Sequence, residues 1–327
     1  MIMKANPVSF KHIIAFEVAK HELVSHALPD DCQVSLTNTA AQIRRHLKTR
    51  MKAVANKQGD SLLVVCEATG GYERHVLKVC GELGLAVHRA HGSRVRFLAK
   101  YLGLAKTDPI DARVLALYGA RSESLHLYRA PSLQEAELKE LRTRRDQVLS
   151  ILRAESNRLE HVHHSAVRKG LKAHIAALKK MLADLEGDIA ELIRTHDEFA
   201  HKAGLMQSVK GIGPVSAVTL LAEMPELGRM TKGEAARLAG LAPINHDSGQ
   251  HKGRRHIEPG RASIRRCLYM AAVVAMHRNV LIQEFAARLR ARGKPGRVVI
   301  AAVMRKLLIT LNGILKSGKP WHGAKCT

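Results

Sequence analysis

A chain of 327 residues with a formal net charge of +24 and a pI near 10.2 is too long for one ordinary domain and calls for a polyanionic partner, nucleic acid before membrane. Aromatic residues make up only 3%, which sets base stacking behind phosphate contact as the mode of binding. Five scattered cysteines without a C-x-x-C pair argue against zinc, and with no secretory leader and no apolar run of about 18 residues the expected setting is the cytoplasm, with no membrane partner.

His12–Val18 is an apolar run of strand length that carries one acid, Glu17. A carboxylate in a buried strand is costly unless something pairs with it. Glu22–Leu28 and Gln33–Thr37 alternate as strands across a Pro29-Asp30-Asp31 turn, and a basic helix follows from Thr39. Leu62–Cys66 is continuously apolar, as a strand buried on both faces should be, and ends in Glu67 followed by Ala-Thr-Gly-Gly. A helix over Tyr72–Leu83, a strand over Leu85–Arg89 and a basic helix over Ser93–Leu102 come next. Asp108 precedes a proline, so it suits an N-cap, with Pro109 at the first helical position and Asp111 at the third. Taken alone, that stretch is more often a plain cap with a dipole-favouring carboxylate.

Three meandering strands, then strand–helix alternation, give the order of an RNase H-like fold. Its acids fall at Glu17, Glu67 and the Asp108/Asp111 pair. Metal-ion cleavage of phosphodiesters uses two cations about 3.5–4 Å apart, and several carboxylates must converge to hold them. Mg²⁺, a hard cation, suits such a set. The other reading is four unrelated acids serving as caps and ion-pair partners.

From Pro131 to Phe199 the chain is a long, charged, proline-free helical region. Ile175, Leu178, Leu182, Leu185, Ile189 and Leu192 keep an a/d spacing, open to a hairpin within the chain or a coiled coil between chains. Lys210, Gly211 and Gly213 form a Gly-x-Gly turn between two helices, either a phosphate-binding helix-hairpin-helix element or a tight turn. After an apolar helix at Ala235–Leu241, a polar loop carries Asp247-Ser248-Gly249 among cations that include Arg254 and Arg255; by itself this is an ordinary turn. Ser263–Met276, with Arg265 and Arg266, and Val298–Leu315 read as apolar helices. Arg288 to Arg297 is a basic stretch between them, facing phosphates or solvent.

Ala15-Phe16-Glu17-Val18-Ala19-Lys20, Glu67-Ala68-Thr69-Gly70, Lys106-Thr107-Asp108-Pro109-Ile110-Asp111-Ala112-Arg113, Gly211-Ile212-Gly213, Ala239-Gly240-Leu241-Ala242-Pro243, Ser248-Gly249 and Arg265-Arg266-Cys267-Leu268-Tyr269-Met270 occur in that order. As a set they resemble the DEDD transposases of insertion-sequence-110 type. The resemblance implies an α/β plus α chain: an RNase H/RuvC-like metal-binding domain over 9–128, a helical coiled-coil middle over 131–200 and a mainly helical C-terminal transposase domain over 204–327. It implies that Glu67, Asp108 and Asp111 bind Mg²⁺, to which Glu17 is expected to add a fourth carboxylate, and that Ser248 attacks a DNA phosphate to form a phosphoserine intermediate. The partners it implies are donor and target DNA, a structured non-coding guide RNA from the element, and further copies of the chain as a dimer or tetramer. Lys210, Gly211, Gly213, Arg254, Arg255, Arg265 and Arg266 are the expected nucleic-acid contacts. The family has Asp where this chain has Glu17, one methylene longer, at a site where Mg²⁺ demands near-ideal geometry. A water-using nuclease and a non-catalytic nucleic-acid-binding protein are the other readings.

Overall fold

The computed structural model describes residues 10–55, 61–104, 108–122, 125–244, 247–248, 251–252, 256–257 and 260–321. Contacts divide the chain into two units, Met1–Ala130 and Pro131–Thr327.

In the first unit β1 (His12–Val18), β2 (Glu22–Leu28) and β3 (Cys32–Thr37) form an antiparallel meander. The chain then runs through α1 (Ala40–Ala55), β4 (Leu62–Glu67), α2 (Arg74–Glu82), β5 (Ala86–Ala90), α3 (Gly92–Tyr101) and α4 (Asp108–Arg121). The five-stranded sheet has the order β3-β2-β1-β4-β5, and the last two strands lie parallel to β1. Strand alternation sorts the apolar residues onto two faces. Ile14, Phe16, Val64 and Cys66 pack against Ile43 and Leu47 of α1 and Val76 and Cys80 of α2. Ile13, Ala15, Leu63 and Val65 pack against Val95 of α3 and Val114 and Leu115 of α4. Helix α4 lies close on this second face: a Cβ added at Gly119 would stand 2.7 Å from Val65 and 3.2 Å from Ile13. Burial pushes the Cys66 and Cys80 thiols up to about 12, so both act as small apolar fillers.

The second unit opens with α5 (Leu133–His161) and α6 (Ser165–Thr195), which pack on each other. Ser132 and Glu135 close a reciprocal capping box at the start of α5. Arg145 pairs with Glu186 at 2.6 Å and Glu155 lies 3.9 Å from His174, the register of two antiparallel helices. The a/d seam, open between two arrangements in the sequence, is thus used in a hairpin, with Val148, Ile175 and Leu178 buried. Buried Arg142 of α5 reaches Asp146 at 2.7 Å and Glu223 at 2.5 Å.

Helices α7 (Asp197–Gln207), α8 (Pro214–Glu223), α9 (Lys232–Leu238), α10 (Ala262–Arg278), α11 (Val280–Ala291) and α12 (Gly296–Ser317) build one apolar core. No helix is expected from the sequence at α11, whose last residues belong to the basic stretch Arg288 to Arg297; the Asn279 side chain accepts from Ile282 N–H and starts it. Among the described residues α12 is long and apolar enough to cross a membrane. It is used as a core helix instead, burying Val299, Val303, Leu307, Leu308 and Leu311.

Candidate functional site

The last paired residues of the central parallel strands are Phe16 and Cys66, so Glu17 and Glu67 follow them side by side at the carboxyl ends of β1 and β4. Alternation puts both carboxylates on the face that carries Ala15 and Val65, the one covered by α3 and α4. The carboxyl edge of parallel strands is where open α/β sheets place their sites. Helix α4 begins at Asp108, one residue earlier than the cap reading put it, and Asp111 is half-buried in its first turn. Ile110 beside it packs on the same face of the sheet. Only the backbone of Asp108 is described, and among the described residues no group of three or more His, Cys, Asp or Glu side chains converges to hold an ion. Adjacent carboxylates are nonetheless the hard oxygen donors that a hard divalent cation takes.

The residues that fix these two strand ends carry no signal in the sequence. Buried Asn38 donates from Nδ2 to Ala19 O at 2.9 Å and to Tyr72 O at 3.1 Å. One amide thereby ties the turn after Glu17 to the loop after Glu67. That loop turns through Gly70 and Gly71, with φ of 75° and 124°, conformations only glycine adopts readily. It wraps the nearly buried carboxylate of Glu73, which accepts from Gly71 N–H at 2.8 Å, Thr69 Oγ1 at 3.1 Å and Thr69 N–H at 3.3 Å. Burial alone would raise the Glu73 carboxyl; these donors, with its own backbone N–H, carry it below its ordinary value. Glu67 itself rests on the first residue of α3: a Cβ built on Gly92 would stand 2.1 Å from Glu67 Oε1.

In the second unit the Gly-x-Gly turn divides its labour. Gly211, with φ of 112°, is pressed onto α10, where an added Cβ would meet Ala275 Cβ at 2.7 Å and Ala271 O at 3.0 Å. Its reason is therefore packing. Gly213 is exposed, caps α8 with an extended backbone, and leaves the helix N-terminus and the neighbouring exposed Lys210 facing solvent. On α10, Arg265 is half-buried and Arg266 exposed. Arg254 and Arg255 lie outside the described residues.

Ser248 lies in a short hairpin. The strands β6 (Pro243–Ile244) and β9 (His256–Ile257) pair with each other, and within them β7 (Asp247–Ser248) pairs with β8 (His251–Lys252), Ser248 opposite His251. Both ends of this segment are fastened at one point. Arg261 N–H donates to Leu238 O at 3.0 Å, and a Cβ on Gly260 would stand 2.2 Å from Gly240 N. The Arg261 guanidinium holds Glu226 through two bonds of 2.9 and 2.8 Å and donates to Glu223 O as well.

A mixed sheet with acids at the ends of its parallel strands, followed by a helical unit with a basic surface, is compatible with RNase H-like enzymes that rearrange DNA. Comparison with known proteins makes this specific. Residues 16–165 match the family model of the DEDD transposases of IS110 type, and residues 203–287 match that of the transposase IS116/IS110/IS902 family. The pilin gene-inverting protein of Moraxella bovis is 30% identical over 80% of this chain and 82% of its own length. That of Moraxella lacunata is 29% identical over the same shares. A 44.8 kDa protein of insertion element IS116 from Streptomyces clavuligerus is 30% identical over 45% of this chain and 36% of its own. The chain belongs to the IS110-type DEDD transposase family, and it is an enzyme of DNA recombination. Its substrates are DNA, and the family points to a divalent metal ion.

Proposed function

We propose that this protein moves its insertion sequence by cutting and rejoining DNA with Ser248 as the nucleophile and Mg²⁺ held by Glu17, Glu67, Asp108 and Asp111. The observation that carries the metal half is the side-by-side ending of β1 and β4 in Glu17 and Glu67 on the sheet face that α4 covers. Mg²⁺ at these carboxylates would supply charge stabilisation to the phosphate oxygens. The longer Glu17 side chain still offers a carboxylate ligand at that strand end.

Ser248 Oγ forms a bond to phosphorus as the bond from phosphorus to a DNA oxygen breaks; the serine gives up its proton to solvent and the departing DNA oxygen takes one up, so the leaving strand ends in a hydroxyl. The phosphoserine ester keeps the energy of the broken bond, so a hydroxyl of another strand can reverse the step and reseal the DNA without an external energy source. Lys210, Gly213, Arg254, Arg255, Arg265 and Arg266 contact phosphates around it, while Gly211 sets the turn. An element-encoded guide RNA selecting donor and target, and assembly as a dimer or tetramer, complete the reading. The name of the Moraxella relatives, gene-inverting proteins, describes the same class of rearrangement.

The test is a denaturing gel of the protein with Mg²⁺, element-derived RNA and labelled donor and target DNA. The intact chain is expected to give a DNA-linked protein band that Ser248→Ala abolishes. Cleavage that is equal in both proteins and leaves no such band would make the enzyme a water-using nuclease.

A further inference from the structure

From the solvent face of α3 we infer that this helix is a stacking platform for unpaired bases of a nucleic-acid strand, beside the carboxyl edge that holds Glu67. Phe97 and Tyr101 are 74% and 77% exposed. They are four residues apart, so their rings stand one above the other on one side of the helix, about 6 Å apart along its axis. Two such rings can take a base between them.

The rest of the helix fits the same ligand. Val95 is buried and Leu98 and Ala99 half-buried on the sheet side, which turns Arg94, Arg96, Phe97, Lys100 and Tyr101 to solvent. No acid occurs in α3. Cations alternating with exposed rings suit phosphates and bases together. An interface between protein copies would instead be depleted of charge at its centre. Position adds to chemistry, because the first residue of this helix is Gly92, against which the Glu67 carboxylate rests. A strand stacked on Phe97 and Tyr101 therefore lies within a few helical turns of the acid edge. The chain's low aromatic content hides this, since two of its five Phe and five Tyr residues are concentrated on one helical turn.

The inference rests on nucleic acid being the substrate, but not on strand cutting, so its test reads binding and location alone. Full-length protein is mixed with single strands carrying 5-iodouracil, in DNA and RNA versions, and irradiated with long-wavelength light; affinities for the same strands and for a duplex are measured by fluorescence anisotropy. Cross-links are expected at Phe97 or Tyr101. The Phe97→Ala/Tyr101→Ala pair is expected to lose them and to weaken single-strand binding about tenfold or more, with duplex binding unchanged. Phe97→Tyr/Tyr101→Phe should restore binding and Phe97→Leu/Tyr101→Leu should not. The arm that responds, DNA or RNA, identifies the strand. Cross-links only outside α3, full affinity in the Leu pair, or equal weakening of the duplex would overturn the platform. A change of sedimentation with unchanged binding would overturn it in favour of a contact between copies.

Discussion

Gly92 is the residue on which the Glu67 carboxylate depends most directly. Its backbone does not require glycine by conformation, so alanine is tolerated by the chain; what it displaces is the Glu67 Oε1 atom, 2.1 Å from the new Cβ. Gly92→Ala is expected to leave thermal stability close to that of the parent while weakening Mn²⁺ binding in titration calorimetry and slowing strand transfer, by up to about a hundredfold if the ligand moves by an ångström. Unaltered cation binding would detach Glu67 from the metal role. At this scale the sequence was only partly legible. Glu17 and Glu67 stood out because an acid at the end of an apolar strand is expensive without a purpose. Asn38, Glu73 and Gly92 did not, because what defines each is a partner across the fold: Tyr72 O for Asn38, the donors of a glycine turn for Glu73, a carboxylate for Gly92. Gly211 was visible as a special glycine, but its neighbour Ala275 on a later helix was not, and that neighbour gives it a packing role.

Elements were more readable than contacts, since period and punctuation mark them locally. The meander, the buried β4 and the start of α4 follow from alternation, a continuous apolar run and Asp-Pro. The pairing of α5 with α6 does not, because an a/d seam states that a helix wants a partner and not which one. The Ser248 segment has the opposite character: its described strands are only two residues long, and its two ends are fastened together at Leu238 and Arg261. The ion pair there is pH-dependent in a defined direction. Burial would raise the Glu226 carboxyl, and the bonds from Arg261 more than offset it, so the folded value lies below the ordinary one. A depressed carboxyl contributes stability above its unfolded value of about 4.5, and that contribution is lost as pH falls through the folded value. Arg261→Ala is expected to cost on the order of 1–2 kcal/mol at neutral pH, discounted for the partial exposure of the pair, and less in acid. Thermal melts of the variant and parent across that range check it, and a difference independent of pH would remove Glu226 from the account.

At the scale of the whole molecule the charge of +24 is the controlling quantity. If six to ten phosphates are contacted, DNA affinity should fall about 10³–10⁵-fold between 50 and 200 mM salt. Anisotropy titrations across that range measure the slope, and a flat response would mean that the basic surface faces solvent only. Net charge was fully legible, as a sum over residues must be. The change of character at Pro131 was legible too, as the start of a long, charged helical region; that the α5–α6 hairpin joins the later helices in one unit, through contacts such as Arg142 with Glu223, depends on residues far apart in sequence and was not. The fastening of the Ser248 segment has a consequence for descent. A segment that leaves at Gly240 and returns at Arg261 within one hydrogen bond is topologically an insertion. Lengthening it costs little, about 0.6 kcal/mol for each doubling of a flexible loop. Residues can therefore be added to or removed from this stretch around a retained Ser248 while the helical core beneath stays unchanged.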